Sequence, residues 1–239
     1  MSKFGILQVA DVVFFDMETK KPAILFDSLK VSTIENESES AEARGGKGNP
    51  IRVSWSYGRT ATLALEDALL SMESLSTLSG NAVEEATVAY GREMVTVGTD
   101  GSVTLSETPV KGTVTVFANN DGIIGDEVQP VSATAEKITG LNAGDKVMVF
   151  YEYTAPEGSK RIRFSADKFP GTYKVIGDTV VRDESTVRDK AMQFVIHKAQ
   201  LQSNFSITLD AENVSTFDFN LNVMKDNDSN DLYELIKLA

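Results

Sequence analysis

The chain has 239 residues, with 23 Lys and Arg against 35 Asp and Glu, one histidine and no cysteine. That length allows one large domain or two smaller ones, each with a real core. A net charge of −12 argues against a nucleic-acid-binding surface, which needs clustered cations, and the missing thiols exclude disulfides, thiolate nucleophiles and cysteine-based metal sites.

The N-terminus, MSKFGILQVADVVFFD, lacks the apolar core and cleavage site of a signal peptide, and no later window is apolar enough to span a membrane. The expectation is a chain made in the cytoplasm with no membrane span. The runs Asp11–Asp16 and Pro22–Phe26, separated by a polar turn, read as a hairpin. Leu29–Glu35 reads as a strand entering a long loop, residues 36–50. In and beside that loop Glu35, Glu37, Glu39 and Glu42 precede Arg44 and Lys47, with Gly45, Gly46, Gly48 and Asn49 among the latter. A polar, Gly-rich run of this size is longer than most loops in compact domains, so it is either disordered or has a task.

Beyond the loop, Ile51, Val53 and Trp55 alternate with Arg52, Ser54 and Ser56, the period of a half-buried strand. Tyr57-Gly58-Arg59 turns or bulges it, and Thr60–Leu65 supplies a second strand, so these two form a predicted hairpin. A helix follows from near Glu66 or Ser71 to Ser79, with Ser71 as N-cap of its last part and Gly80 as C-terminal cap. Leu69, Met72, Leu75 and Leu78 give it a stripe to pack on a sheet.

Residues 83–97 are again β-like. From there to about Pro156 short strands follow closely: Val103–Leu105, Thr113–Phe117 and Val147–Tyr153. They read as an inserted, small immunoglobulin-like β subdomain over 98–157, which makes the main β domain discontinuous, 1–97 and 158–239. Strands resume at Tyr173–Val181, an exposed loop runs from Arg182 to Lys190, and Met192–Ile196 continues through His197 toward Asn204–Leu209. Phe217, Phe219, Leu221 and Val223 alternate with Asp218, Asn220 and Asn222. The polar set is either solvent-exposed or, if these strands line a channel, a set of candidate lining groups. Leu232, Leu235 and Ile236 suggest a short C-terminal helix.

Searching the same residues for chemistry returns little. His197 has no Ser or carboxylate near it in sequence, and no zinc, nucleophile-elbow or Walker motif is present. Gly45–Pro50 fails as a phosphate loop because no helix starts after it. Asp226–Asp231 opens like a calcium loop, but Asp231 stands where the glycine belongs and Lys237 where the bidentate glutamate belongs. No catalytic, cofactor or metal site is expected, and the chain reads as a non-enzyme. The charge-segregated loop suits a heterologous contact instead: Glu37, Glu39 and Glu42 of one subunit meeting Arg44 and Lys47 of the next, around the Gly45, Gly46, Gly48 and Asn49 tip.

At Ala43–Asn49, Trp55–Arg59, Leu65–Leu69 and Ser79-Gly80, and again at Phe169–Val175 and Gln193–Ala199, the chain resembles the major tail or tail tube proteins of tailed bacteriophages. The resemblance implies a β-sandwich or half-barrel with one flanking helix. It also implies homo-oligomeric rings, usually hexamers, that stack into a tube with other phage tail proteins and conduct DNA during ejection without binding it specifically. On that reading the 36–50 loop makes the contact between subunits or rings, the insertion decorates the outside, and the protein resides in the virion. The other reading of the same features is a capsid decoration or adhesion protein of a phage.

Overall fold

Alternating apolar residues rich in Val, Ile, Phe and Tyr favour strands, and the chain is mainly β. The computed structural model describes residues 3–128, 132–205, 207 and 216–238. In chain order the elements begin with β1 (Phe4–Ile6), β2 (Asp11–Asp16), β3 (Pro22–Phe26), β4 (Leu29–Arg44), β5 (Ile51–Asp67) and helix α1 (Met72–Ser79). Next come β6 (Glu84–Glu85), β7 (Val88–Thr96), β8 (Ser102–Thr104), β9 (Thr115–Asn120), β10 (Ile123–Glu127), β11 (Ser132–Thr134), β12 (Lys137–Thr139), β13 (Lys146–Thr154) and β14 (Lys160–Arg161). The last are β15 (Thr172–Asp183), β16 (Asp189–Leu201), β17 (Phe217–Val223) and β18 (Glu234–Lys237).

The chain divides into two compact units, one made of residues up to Val83 and from Ile162 onward, the other of Glu84–Arg161. The first holds a nine-stranded sheet in the order β3-β2-β15-β16-β17-β5-β4, with β1 added to β15 and β18 to β16. Its core gathers one parity of each strand: Val12 and Phe14, Ile24 and Phe26, Leu63 and Leu65, Phe194 and Ile196, Phe219 and Leu221. Phe26 sits between Phe14 and Phe219, with ring centroids 5.1 Å and 4.9 Å away. Removing such buried rings from water is the main stabilising term of this unit. Helix α1 adds Leu78 to that core. Ser71 caps α1 reciprocally with Ser74, and Gly80 ends it in the left-handed conformation.

The second unit has a four-stranded sheet, β10-β9-β13-β7, a three-stranded one, β11-β12-β8, and the β14-β6 pair. Its core is separate and includes Val97, Val116, Ile138, Val147, Val149 and Tyr151. The sequence borders at 98 and 157 divide the chain differently. Strand β7 pairs along its whole length with β13, from Val88↔Thr154 to Thr96↔Lys146, and so belongs to this unit.

Three local expectations change. Residues 36–44 are not loop but the outer part of β4, and β5 is one strand through Tyr57-Gly58-Arg59, so the hairpin is β4 with β5 rather than 51–55 with 60–65. The polar alternation of Glu and Ser in β4 hides its strand character, because neither parity is apolar. The expected C-terminal helix is strand β18: the 192–195 stretch of β16 needs hydrogen-bonding partners, and Glu234–Lys237 supplies them. Of the anticipated strand Asn204–Leu209, residues 206, 208 and 209 lie outside the described residues.

Candidate assembly arm and polar sheet face

Strands β4 and β5 start inside the nine-stranded sheet and leave it together. From Ala61 inward, β5 alternates buried and half-buried residues against β17; from Thr60 outward to Ile51 every residue is exposed, as is every residue of β4 from Glu35 to Arg44. The hydrogen-bonded pairing continues through this stretch to Arg44↔Ile51. At about 3.3 Å per residue, Asn36–Arg44 reaches about 30 Å beyond the core. The tip closes through Gly45 N–H to the Pro50 carbonyl (3.2 Å) and Asn49 N–H to the Gly46 carbonyl (3.0 Å), and Arg52 Nε donates to the Gly45 carbonyl (3.0 Å).

One residue sets the arm's faces. Between the pairs Glu37↔Thr60 and Glu39↔Tyr57 strand β5 carries an extra residue, a bulge in which Gly58 takes φ +60°, a conformation open to glycine at little cost. Below the bulge Ala61, Leu63 and Leu65 face the core. Above it the apolar parity is Val53, Trp55 and Tyr57, which lie on the opposite face, beside Ala41 and Ala43 of β4 and with Glu39 across from Tyr57; a second shift between Ala43 and Arg44 pairs Ile51 with Arg44, off that face. Val53, Trp55 and Tyr57 are 47%, 57% and 53% exposed. The half-buried strand expected from the alternation is therefore a strand whose apolar side no described residue of this chain covers. A two-stranded ribbon without a covered face is marginal in water, and a contiguous exposed apolar face marks an interaction surface.

The charged residues of the candidate interface are arranged differently from the expectation of two opposed limbs. Arg44 is paired with Glu42 of its own strand (2.6 Å). Glu37 and Glu39 stand on the same face as the apolar stripe, and Lys47, Gly45, Gly46, Gly48 and Asn49 form the tip.

The second candidate set lies at the arm's root. Strand β17 pairs with β5 in the register Asp218↔Glu66, Asn220↔Ala64 and Asn222↔Thr62, while Phe219, Leu221 and Val223 are buried. Asp218, Asn220 and Asn222 thus share the sheet face turned from the core with Thr62 and Glu66, the same face that carries the apolar stripe farther out. The sequence treated the arm and this polar set as unrelated; β5 joins them. Asp218 directly opposite Glu66 is an unfavourable like-charge pair for sheet stability.

A groove of about 500 Å³ opens where the β4 edge approaches the N-terminal segment and β18. Ile6, Val9, Val31, Ile34, Met192 and Leu235 give it apolar walls. Tyr233 and Leu235 also line an adjoining pocket with Asn36, Arg59 and Lys225. No line of sequence reasoning found this groove, because its walls come from five separate segments.

His197 Nε2 lies 3.1 Å from Glu234 Oε1 across the β16–β18 pair. Among the described residues no group of three or more His, Cys, Asp or Glu could hold a metal ion, and no helix is long and apolar enough to cross a membrane.

Compared with known protein families, residues 4–235 match the model of the YomU/Tube protein family. The chain belongs to the YomU/Tube protein family. None of the curated proteins matches it. YomU/Tube membership makes this a phage tail tube family protein, a structural component of the virion that assembles with its own copies and with other tail proteins. The matched range includes both the arm and the Glu84–Arg161 unit.

Proposed function

We propose that the chain is a tail tube subunit whose copies join into rings, six to a ring, stacked as a channel through which DNA passes. The observation that carries this reading is the arm: a ribbon about 30 Å long that exposes one apolar face has no role in its own subunit's core and is free to pack on a neighbour. The face with Asp218, Asn220, Asn222 and Glu66 lines the channel. It holds a repulsive Asp–Glu pair where stability alone favours a neutral one, and its negative charge keeps a phosphate backbone from adhering. The chain performs no catalysis in this role, and the Glu84–Arg161 unit decorates the outside of the tube.

Negative-stain imaging of the purified chain over a range of concentrations tests this. Rings or tubes with a central hole are expected, and six-fold rotational symmetry in averaged end views. A chain that stays monomeric at every concentration and salt strength overturns the reading. Assemblies without a hole refute the channel.

A further inference from the structure

The apolar stripe needs an occupant for its uncovered face, and the groove beside β18 needs one for its interior. We propose that they are each other's, between copies: the arm of one subunit lies in the groove of the next, with Val53, Trp55 and Tyr57 against Val31, Ile34 and Leu235. This rests on the tube reading, since it requires a second copy of the chain.

Three observations favour a second copy as the occupant. First, the groove's own arm cannot reach it. Lys30–Ile34 of β4 form one wall, and the same strand runs straight on into the arm, so stripe and groove are held apart on one continuous ribbon. Second, the charges match. In a chain of net charge −12, the adjoining pocket gathers two cations, Arg59 and Lys225, against one carboxylate, Asp231, and among the described residues neither cation has an ion-pair partner. Glu39 lies across from Tyr57 on the stripe's face, placed to enter with it. A nucleic acid would satisfy these cations but leave the apolar walls wet, whereas the arm brings a carboxylate and an apolar stripe on one surface. Third, the two patches are different surfaces of the chain, so the contact is heterologous and each copy both gives an arm and receives one. Such contacts repeat from copy to copy and close into rings or continue as tubes, as a tube family requires.

The absence of native cysteine makes the contact directly readable. Val53→Cys and Val31→Cys, both at exposed positions that tolerate the change, are purified separately, mixed under assembly conditions and treated with a short bismaleimide. Linked dimers are expected in the mixture and not in either variant alone. Linked dimers in the Val53→Cys sample alone overturn the proposal in favour of arm-to-arm pairing. Tubes without any cross-link in the mixture overturn it while leaving the tube reading intact, and no assembly of the wild-type chain removes both. As a second readout, Glu39→Lys and Lys225→Glu each weaken assembly about tenfold and together recover part of that loss, the coupling expected of a charge pair in contact. Additive losses count against the proposed register.

Discussion

Replacing Trp55 by alanine separates assembly from folding. The side chain is 57% exposed and stands across from Ala41, itself exposed, so the free subunit loses little when it is removed. The expected change in unfolding free energy is within about 0.5 kcal/mol, the range of surface substitutions. In the proposed assembly the same ring is covered. An aromatic side chain of about 200 Å² exposed to 57% has about 115 Å² left to bury, worth about 3 kcal/mol at about 25 cal/mol/Å². Such a loss weakens each contact about 100-fold. Sedimentation velocity over a concentration series reads the shift, and urea unfolding reads the subunit. Because Trp55 is the only tryptophan, wild-type emission should also move to shorter wavelength as assembly proceeds. An apolar contact persists at high salt, where an interface of exposed charges is screened. If Trp55→Ala assembles at wild-type concentrations, or unfolds several kcal/mol more readily, the arm's stripe is not the interface.

Two further changes probe the two units, one in each. Gly177 faces Phe194 across β15 and β16, and the ring occupies the space where a Cβ would lie. Gly177→Ala should cost about 1–3 kcal/mol by overpacking, and wild-type stability in urea would show that the ring moves freely. In the other unit the Tyr151 hydroxyl is pushed up to about 12, by burial first and then by its hydrogen bond to Glu93 and that group's charge. Since the folded value is raised, this contribution to stability is whole below about pH 10, the ordinary tyrosine value, and is lost as pH rises toward about 12. Tyrosinate absorbance should therefore show, besides Tyr173, which burial also raises, a late-titrating tyrosine whose midpoint falls in Glu93→Gln; an unchanged midpoint rules out the Glu93 contribution.

How much of this was legible beforehand follows from what each residue reports. The Asp11–Phe26 hairpin, α1 with its Ser71 and Gly80 caps, and the alternation of Phe217–Val223 are local signals, and local signals survived. Trp55 shows the limit. Alternation with Arg52, Ser54 and Ser56 correctly announced a strand with one apolar side, but no periodicity says whether that side meets the chain's own core or another's. Gly58 decides that, since one bulge residue moves the apolar parity to the opposite face. The 36–44 segment looked like a loop because Glu and Ser occupy both parities of β4. Leu235 and Ile236 fit a helix by spacing, and only the vacant pairing of β16 makes them a strand. The groove was invisible for a different reason: Ile6, Val31 and Leu235 are close only after folding.

The pair β6–β14 has a consequence for how this chain came to hold two units. Glu84–Glu85 and Lys160–Arg161 lie side by side, in the register Lys160↔Glu85 and Arg161↔Glu84, with Arg161 Nε 3.2 Å from a Glu84 carboxylate oxygen. Everything between them is thus a closed excursion that leaves and returns through a single doorway two strands wide. Crossing that doorway with a tight turn would skip 74 residues (86–159) without rerouting any strand of the nine-stranded sheet. The same doorway would admit a foreign domain whose ends lie close together, as chain termini often do. The connection to the Glu84–Arg161 unit is thereby confined to one paired crossing, beyond which the chain can vary while the nine-stranded sheet stays constant.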